Sequence, residues 1–270
     1  EGHCGFPRLE VVGAGIATAI SAAVQMLLLM YFGIRKSQSG RASLKELFGF
    51  DAAFVKKFAK TSSPVLLNET FWSTGIAMFS VFYGMRGDVS VAALGVFNTI
   101  DSIVFITVYA LMSTTGVVVG KALGAKDNAL AVLYAKRMIV GSVTLSLIVG
   151  VLVLLFIDPI LLIFGNLSAA ALRIAKELVL LSAGVIWAKS FNSILVVGVL
   201  RAGGDTVMSL ILDVAFLWGL ALPLVGLAST LTDWPMQILF LLSLTDEVMK
   251  FVFGLRRFHS RKWIRNLTEA

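Results

Sequence analysis

The 270 residues are 58% hydrophobic and only 14% charged, with a mean hydropathy of +0.90. A soluble domain is about 45–50% apolar and about 25% charged, so the composition excludes an ordinary soluble protein and predicts an integral membrane one. The net charge of +7 does not make a nucleic-acid surface, because the basic residues lie in short segments between apolar runs.

A bilayer span needs roughly 20 apolar residues. About seven such runs follow one another, near 11–34, 61–85, 90–119, 138–157, 178–200, 207–227 and 236–255. They predict an all-α, polytopic transmembrane helical bundle. Pro235 stands where a last helix would start. The segment 35–60 breaks the pattern. It carries Arg35, Lys36, Arg41, Lys45, Lys56, Lys57 and Lys60, punctuated by Leu44, Leu47, Phe48, Phe54, Val55 and Phe58. It reads as a cytoplasmic linker with an interfacial amphipathic stretch, or as a plain solvated loop.

Cytoplasmic loops carry the excess of Lys and Arg. With the linker inside, the clusters at 121–137 (Lys121, Lys126, Lys136, Arg137), at Arg201 and at 256–265 (Arg256, Arg257, Arg261, Lys262, Arg265) all fall on the same side. The opposite loops hold only Arg86, then Arg173 and Lys176, then no basic residue between Ala228 and Pro235. The N-terminus is then extracellular. The chain opens at Glu1 without a signal-peptide pattern, and the expectation is a fragment preceded by further helices. Trp234 and Trp263 suit an aromatic belt or juxtamembrane anchor. Gly116, Gly120 and Gly124 form a ladder that either lets backbones approach closely or is ordinary membrane-helix glycine.

Ionisable groups inside a bilayer cost at least about 2.5–3.5 kcal/mol at mid-helix, so each needs a reason. Glu69 lies eight residues into the 61–85 run, about 12 Å deep at roughly 1.5 Å per residue. Asn68 adjoins it and Pro64 precedes it, where a proline removes a backbone hydrogen bond and bends a helix. This is a candidate cation or proton site; the alternative is a structural carboxyl bonded to a neighbouring helix. Asp101 lies mid-span with Asn98 one turn earlier on the same face, and with Thr107 they line the same candidate cavity. Lys189 is also mid-span, with Asn192 three residues on, and needs a carboxylate from Asp101, Asp213 or Glu69; such a pair competes with the ion-site reading by neutralising itself. Asp213 reads as structural. Asp246, Glu247 and Lys250 cluster in the cytoplasmic half of the last helix, with Glu247 and Lys250 read as an interfacial ion pair.

With one cysteine, Cys4, and two histidines, His3 and His259, no internal disulfide, zinc cluster or Ser/His/Asp arrangement is available. Gly203-Gly204 is too short a turn to cradle phosphate. No enzyme activity and no cofactor are expected.

Several stretches together resemble the MATE (multidrug and toxic compound extrusion) transporters. Gly5-Phe-Pro-Arg-Leu9 and Gly13-Ala-Gly-Ile-Ala-Thr18 are similar to the approach to that family's sixth helix, and Pro64-Val-Leu-Leu-Asn-Glu69 with Trp72 to its seventh. Ala92-Ala-Leu-Gly95 with Asn98, then Gly120-Lys-Ala-Leu-Gly124, resemble the eighth. The stretch 192–205, whose Val199-Leu-Arg-Ala-Gly-Gly-Asp-Thr206 hinge is the most distinctive, resembles helices ten and eleven with Asp213 and 218–223, and 250–263 resembles the C-terminal tail.

The resemblance implies residues 1–34 as the last helix of an N-terminal lobe, 35–60 as a linker, 61–255 as a six-helix C-terminal lobe and 256–270 as a cytoplasmic tail. It implies a multi-pass plasma (inner) membrane antiporter that exports cationic or amphiphilic compounds in exchange for Na+ or H+, completed by a missing N-terminal lobe. Glu69 matches the acidic residue of helix seven. Where other members place an acid on helix ten, this chain has Lys189 mid-span and Glu177 at the start. The cation- and substrate-binding candidates are therefore Asn68, Glu69, Asn98, Asp101 and Lys189. A lipid-linked saccharide flippase is the alternative, disfavoured because only Lys189 and Arg137 would meet a pyrophosphate. A non-transporting membrane interaction protein should lack buried carboxylates.

Overall fold

The structure, a computed structural model, describes residues 10–36 and 49–265. The Gly5–Leu9 motif, the linker residues Leu44, Leu47 and Phe48, and the last five residues of the tail lie outside the described residues. The chain divides into two compact units, Glu1–Phe58 and Ala59–Ala270.

In the first unit, α1 (Glu10–Lys36) presents apolar side chains all round, among them Val12, Ile16, Leu27 and Phe32. A helix apolar on every face is suited to lipid. Helix α2 (Ala52–Gly84) opens where Asp51 accepts the backbone N–H of Phe54 at 2.7 Å, the N-terminal cap that a short polar side chain supplies. Its first turns stack Phe50, Phe54 and Phe58 along one face.

The second unit holds the rest of α2, then α3 (Asp88–Gly124), α4 (Asn128–Leu162), α5 (Ala169–Ser193), α6 (Thr206–Phe216), α7 (Leu222–Leu231), α8 (Met236–Ser243) and α9 (Thr245–His259). π-Helical turns at Ile194–Leu200 and Leu217–Ala221 extend α5 and join α6 to α7. Among the described residues there is no strand, and the fold is a polytopic helical membrane fold. The first apolar run lies in α1 and the other six fall on the helices of the second unit, within a residue at the end of α2. Helix α4 starts ten residues before its run, because Asp127 caps Leu130 N–H at 2.8 Å and polar turns need no hydropathy to be helical. The last run is two helices broken at Leu244.

Among the described residues, five helical stretches are long and apolar enough to cross a membrane: Gly15–Gly33, Asp88–Gly124, Asn128–Leu162, Ala169–Leu200 and Thr206–Leu231. The other two are the polar ones. Asn68, Glu69, Thr70, Ser73 and Thr74 interrupt α2, and Asp246, Glu247 and Lys250 occupy α9.

The core of the second unit is in two halves. One, around Phe79, Phe97, Leu178, Val225 and Leu239, fills the end carrying the turns at 85–87, 163–168 and 232–235. The other, around Val119, Ile194, Leu195, Leu200 and Trp263, fills the end with the turns at 125–127 and 201–205. At the first end Gly87 turns the chain with φ +89°, a conformation that favours glycine, and Arg86 donates to the carbonyls of Ala228 and Thr232 at the end of α7.

The structure decides largely for the second of the two readings of the glycine ladder and corrects one expectation, that for Trp263. Of the glycine ladder, Gly120 and Gly124 face open space, and only Gly116 approaches another backbone, that of Gly198. The close crossing is made instead by Gly198, where an added Cβ would lie 2.9 Å from Thr115 and 3.1 Å from the Met112 carbonyl. Gly198→Val is expected to cost about 1–3 kcal/mol through overpacking, seen as a lower thermal unfolding midpoint in detergent, whereas Gly120→Ala should leave the midpoint unchanged or higher. Trp263 is no membrane anchor. It is fully buried, stacked on Phe258 and donating its indole N–H to the Phe258 carbonyl.

Candidate functional site

Between the two core halves lies a cavity of about 430 Å³, walled by α2, α3, α5, α6, α8 and α9. All five candidate residues line it: Asn68 and Glu69 from α2, Asn98 and Asp101 from α3, and Lys189 from α5. Thr107 does not; its hydroxyl bonds back to the Val104 carbonyl. The wall also brings in Arg201, Asn192, Asp213, Asp246, Glu247 and Lys250, and an aromatic lining that includes Trp72, Phe79, Tyr83, Phe97 and Phe105. The π-turn Ile194–Leu200 follows directly on Lys189 and Asn192, and the second begins four residues after Asp213. Such wide turns recur at functional sites because they re-aim neighbouring side chains.

Three charged groupings divide the cavity. Glu69 pairs with Arg201 at 2.6 Å, and Arg201 also donates to Ser209. The arginine is mostly buried while the Glu69 side chain is about half exposed (53%), so the carboxylate keeps an open face. Arg201, expected to act only as a loop charge that sets orientation, reaches from the turn into the cavity wall.

Lys189 takes its carboxylate from Asp101 at 3.5 Å, with Ser182 bridging the two at 3.1 and 3.0 Å. The rings of Phe105 and Phe97 stand 5.4 and 5.9 Å from its ammonium, within cation–π range. Of the three partners the sequence offered Lys189, the structure selects Asp101.

The third grouping corrects the expected interfacial pair at Glu247 and Lys250. Lys250 is 4% exposed and has Asp246 at 2.9 Å, Asp213 at 3.7 Å and Glu247 at 4.0 Å. Asn68 donates to Asp213 at 3.0 Å, and Asn192 donates to Glu247 at 2.7 Å. The sequence placed Asp246, Glu247 and Lys250 together, but it missed their burial and the link to Asp213 because α9 reads as a polar helix end. The signal that was available is the i, i+4 spacing of Asp246 and Lys250, which places both on one helix face.

The model for MatE matches residues 64–227. The chain belongs to the MatE family. MatE is a transporter family and not an enzyme family, and this member is a multi-pass membrane protein. It is similar to the multidrug resistance protein MdtK of Cronobacter sakazakii, 28% identical over an alignment of 267 positions that covers 94% of this chain and 57% of that one. It also resembles the uncharacterized transporter YisQ of Bacillus subtilis, 21% identical over 98% of this chain and 57% of that one. The probable multidrug resistance protein NorM of Bacillus cereus is 26% identical over 86% and 51%. The MatE chain thus spans a little over half the length of these relatives.

Among solved structures, a MATE in complex with MaL6 superimposes with a TM-score of 0.75 at 16% identity, over 96% of this chain and 58% of that one. An outward-facing MATE family transporter of the MOP superfamily gives 0.71 at 19% identity, over 77% and 46%. At these identities the likeness establishes the MATE fold.

Proposed function

We propose that this chain forms the C-terminal lobe of a secondary antiporter of the plasma (inner) membrane, which exports cationic or amphiphilic compounds in exchange for Na+ or H+. The observation that carries this reading is the single cavity that gathers Asn68, Glu69, Asn98, Asp101 and Lys189 against an aromatic wall. Apolar walls with a few placed polar groups suit small organic ligands. Aromatic faces with a carboxylate suit an amphiphilic cation. The multidrug resistance names of the relatives support it as well. A second lobe would close the open side of the cavity, and rocking of the two lobes would expose it to each side of the membrane in turn.

In this mechanism Glu69 is the exchange point. Its carboxylate rests on Arg201, and an arriving cation or cationic substrate competes with the guanidinium for it. Asp101 and Asn98 shape the wall across from it, and Lys189 holds Asp101 in place. In the full-length protein, Glu69→Gln is expected to abolish efflux of a cationic dye from cells while membrane insertion, followed by surface labelling and yield, stays intact. Efflux at the wild-type rate by that variant would overturn the role.

A further inference from the structure

The charges lining the cavity do not balance, and the excess is in one place. Glu69 is offset by Arg201, and Asp101 by Lys189. Around Lys250, three carboxylates, those of Asp213, Asp246 and Glu247, stand within 4.0 Å of one ammonium. Lys250 alone leaves two of the three negative charges unmatched, and Arg201, whose charge also reaches Asp213, is already paired with Glu69. The ammonium is 4% exposed and Asp246 is 8% exposed at its side chain. Uncompensated charge at such a depth is expensive and calls for a further cation.

A second observation points to which cation. Asn68 and Asn192 are 1% and 4% exposed, and each spends its amide N–H on a carboxylate of this cluster. That orientation is forced, since an amide oxygen turned toward a carboxylate would set two acceptors against each other. Their own oxygens, Oδ1 of Asn68 and Oδ1 of Asn192, are then buried without a hydrogen-bond donor. A buried acceptor left without a donor is costly. The amides meet the cluster only as donors, so it is short of donors, and a proton taken up by one carboxylate would add an O–H to it. A proton also needs no space, whereas a metal ion would need the centre of the trio, which the Lys250 ammonium occupies.

We propose that the Asp213–Asp246–Glu247 cluster is a proton-binding site, distinct from Glu69, in which Lys250 is the resident counter-cation. The step is a simple transfer. A hydronium ion in the cavity gives its proton to one carboxylate oxygen, one O–H bond forms, and water is left. Lys250 keeps its own proton throughout. The other groups facing the site are Tyr83 from α2, whose hydroxyl lies in the field of Asp246, and Arg201, whose charge acts on Asp213. As the coupling site of an antiporter the cluster rests on the reading above, but as a proton-binding site it does not depend on it.

The test is infrared spectroscopy of the full-length protein in detergent, following the carbonyl band of protonated carboxyl groups from mildly alkaline to mildly acidic pH. Wild type is expected to gain such a band. Asp246→Asn should lose about one carboxyl's worth of it, and Glu247→Gln, which keeps the bond from Asn192 by offering an amide oxygen, should shift its midpoint. Should Asp246→Asn fail to fold, Glu247→Gln alone carries the test. Glu69→Gln, even where it abolishes dye efflux, should leave in place the part of the band that Asp246→Asn removes, which separates this site from the exchange point proposed above. A band that neither cluster variant alters would overturn the proposal. So would a wild type that gains no such band; thermal stabilisation by sodium chloride but not by choline chloride, lost in Asp246→Asn, would then identify sodium as the cation.

Discussion

Replacing Lys250 by methionine is expected to destabilise the protein by about 3–5 kcal/mol, because removing one partner of a buried ion pair leaves the other charges buried without compensation. Methionine matches the length and volume of the lysine stem, so the packing of α9 against α5 and α6 is largely kept and the loss is electrostatic. The site makes the loss large: Asp246, Asp213 and Glu247 all face the one ammonium. Two further results follow. The double variant Lys250→Met, Asp246→Asn should recover part of the loss, since neighbours sharing one network are not additive. The gap to wild type should also narrow as pH falls, because acidification neutralises the carboxylates that the variant leaves unpaired. Thermal unfolding in detergent, across pH, reads all three. An unchanged midpoint for Lys250→Met would mean that the cluster is hydrated, not buried.

The parts legible in the sequence were those expressed through hydropathy. Glu69 and Asp101 stood out because each interrupts an apolar run, and both line the cavity. The helices were readable for the same reason, and their ends were not, since Asp127 at α4 and Ser168 at α5 set those starts through single hydrogen bonds. Arg201 was invisible as a cavity residue. It sits in a turn outside every apolar run, and its partner Glu69 is 132 residues away, so only tertiary packing joins them. Lys250 failed as a signal for the opposite reason. Its helix carries Asp246, Glu247, Arg256 and Arg257 and looks solvated, yet it packs its charged face inward against α5 and α6. Trp263 was misread on the same logic: a tryptophan beside basic residues resembles an interfacial anchor, and hydropathy has no term for a tail that folds back.

That tail leads to the second large effect. Gly203 has no room for a side chain. A Cβ there would lie 2.2 Å from the Trp263 carbonyl oxygen and 2.8 Å from its ring, so Gly203→Val must drive the tail off the turn. The attachments it would lose are specific. Arg265 donates its backbone N–H to the Gly203 carbonyl at 2.9 Å, and Arg257 and Arg265 hold Asp205, 1% exposed, at 2.6 and 3.2 Å. Undocking exposes Trp263 and strips a buried carboxylate of its cations, for an expected loss of about 3–5 kcal/mol, similar to deleting a buried tryptophan. The variant should show a red-shifted tryptophan emission, faster proteolysis within the tail and a lower thermal midpoint, and Trp263→Ala should match it in the last two. Gly219→Ala, where an added Cβ meets nothing within 4 Å, is the control. The effect should also reach the cavity, because Arg201 leaves the same turn to hold Glu69. A tail that only covers the turn would leave dye efflux by the full-length protein at the wild-type rate in Gly203→Val, whereas a tail that positions Arg201 would lower efflux along with stability.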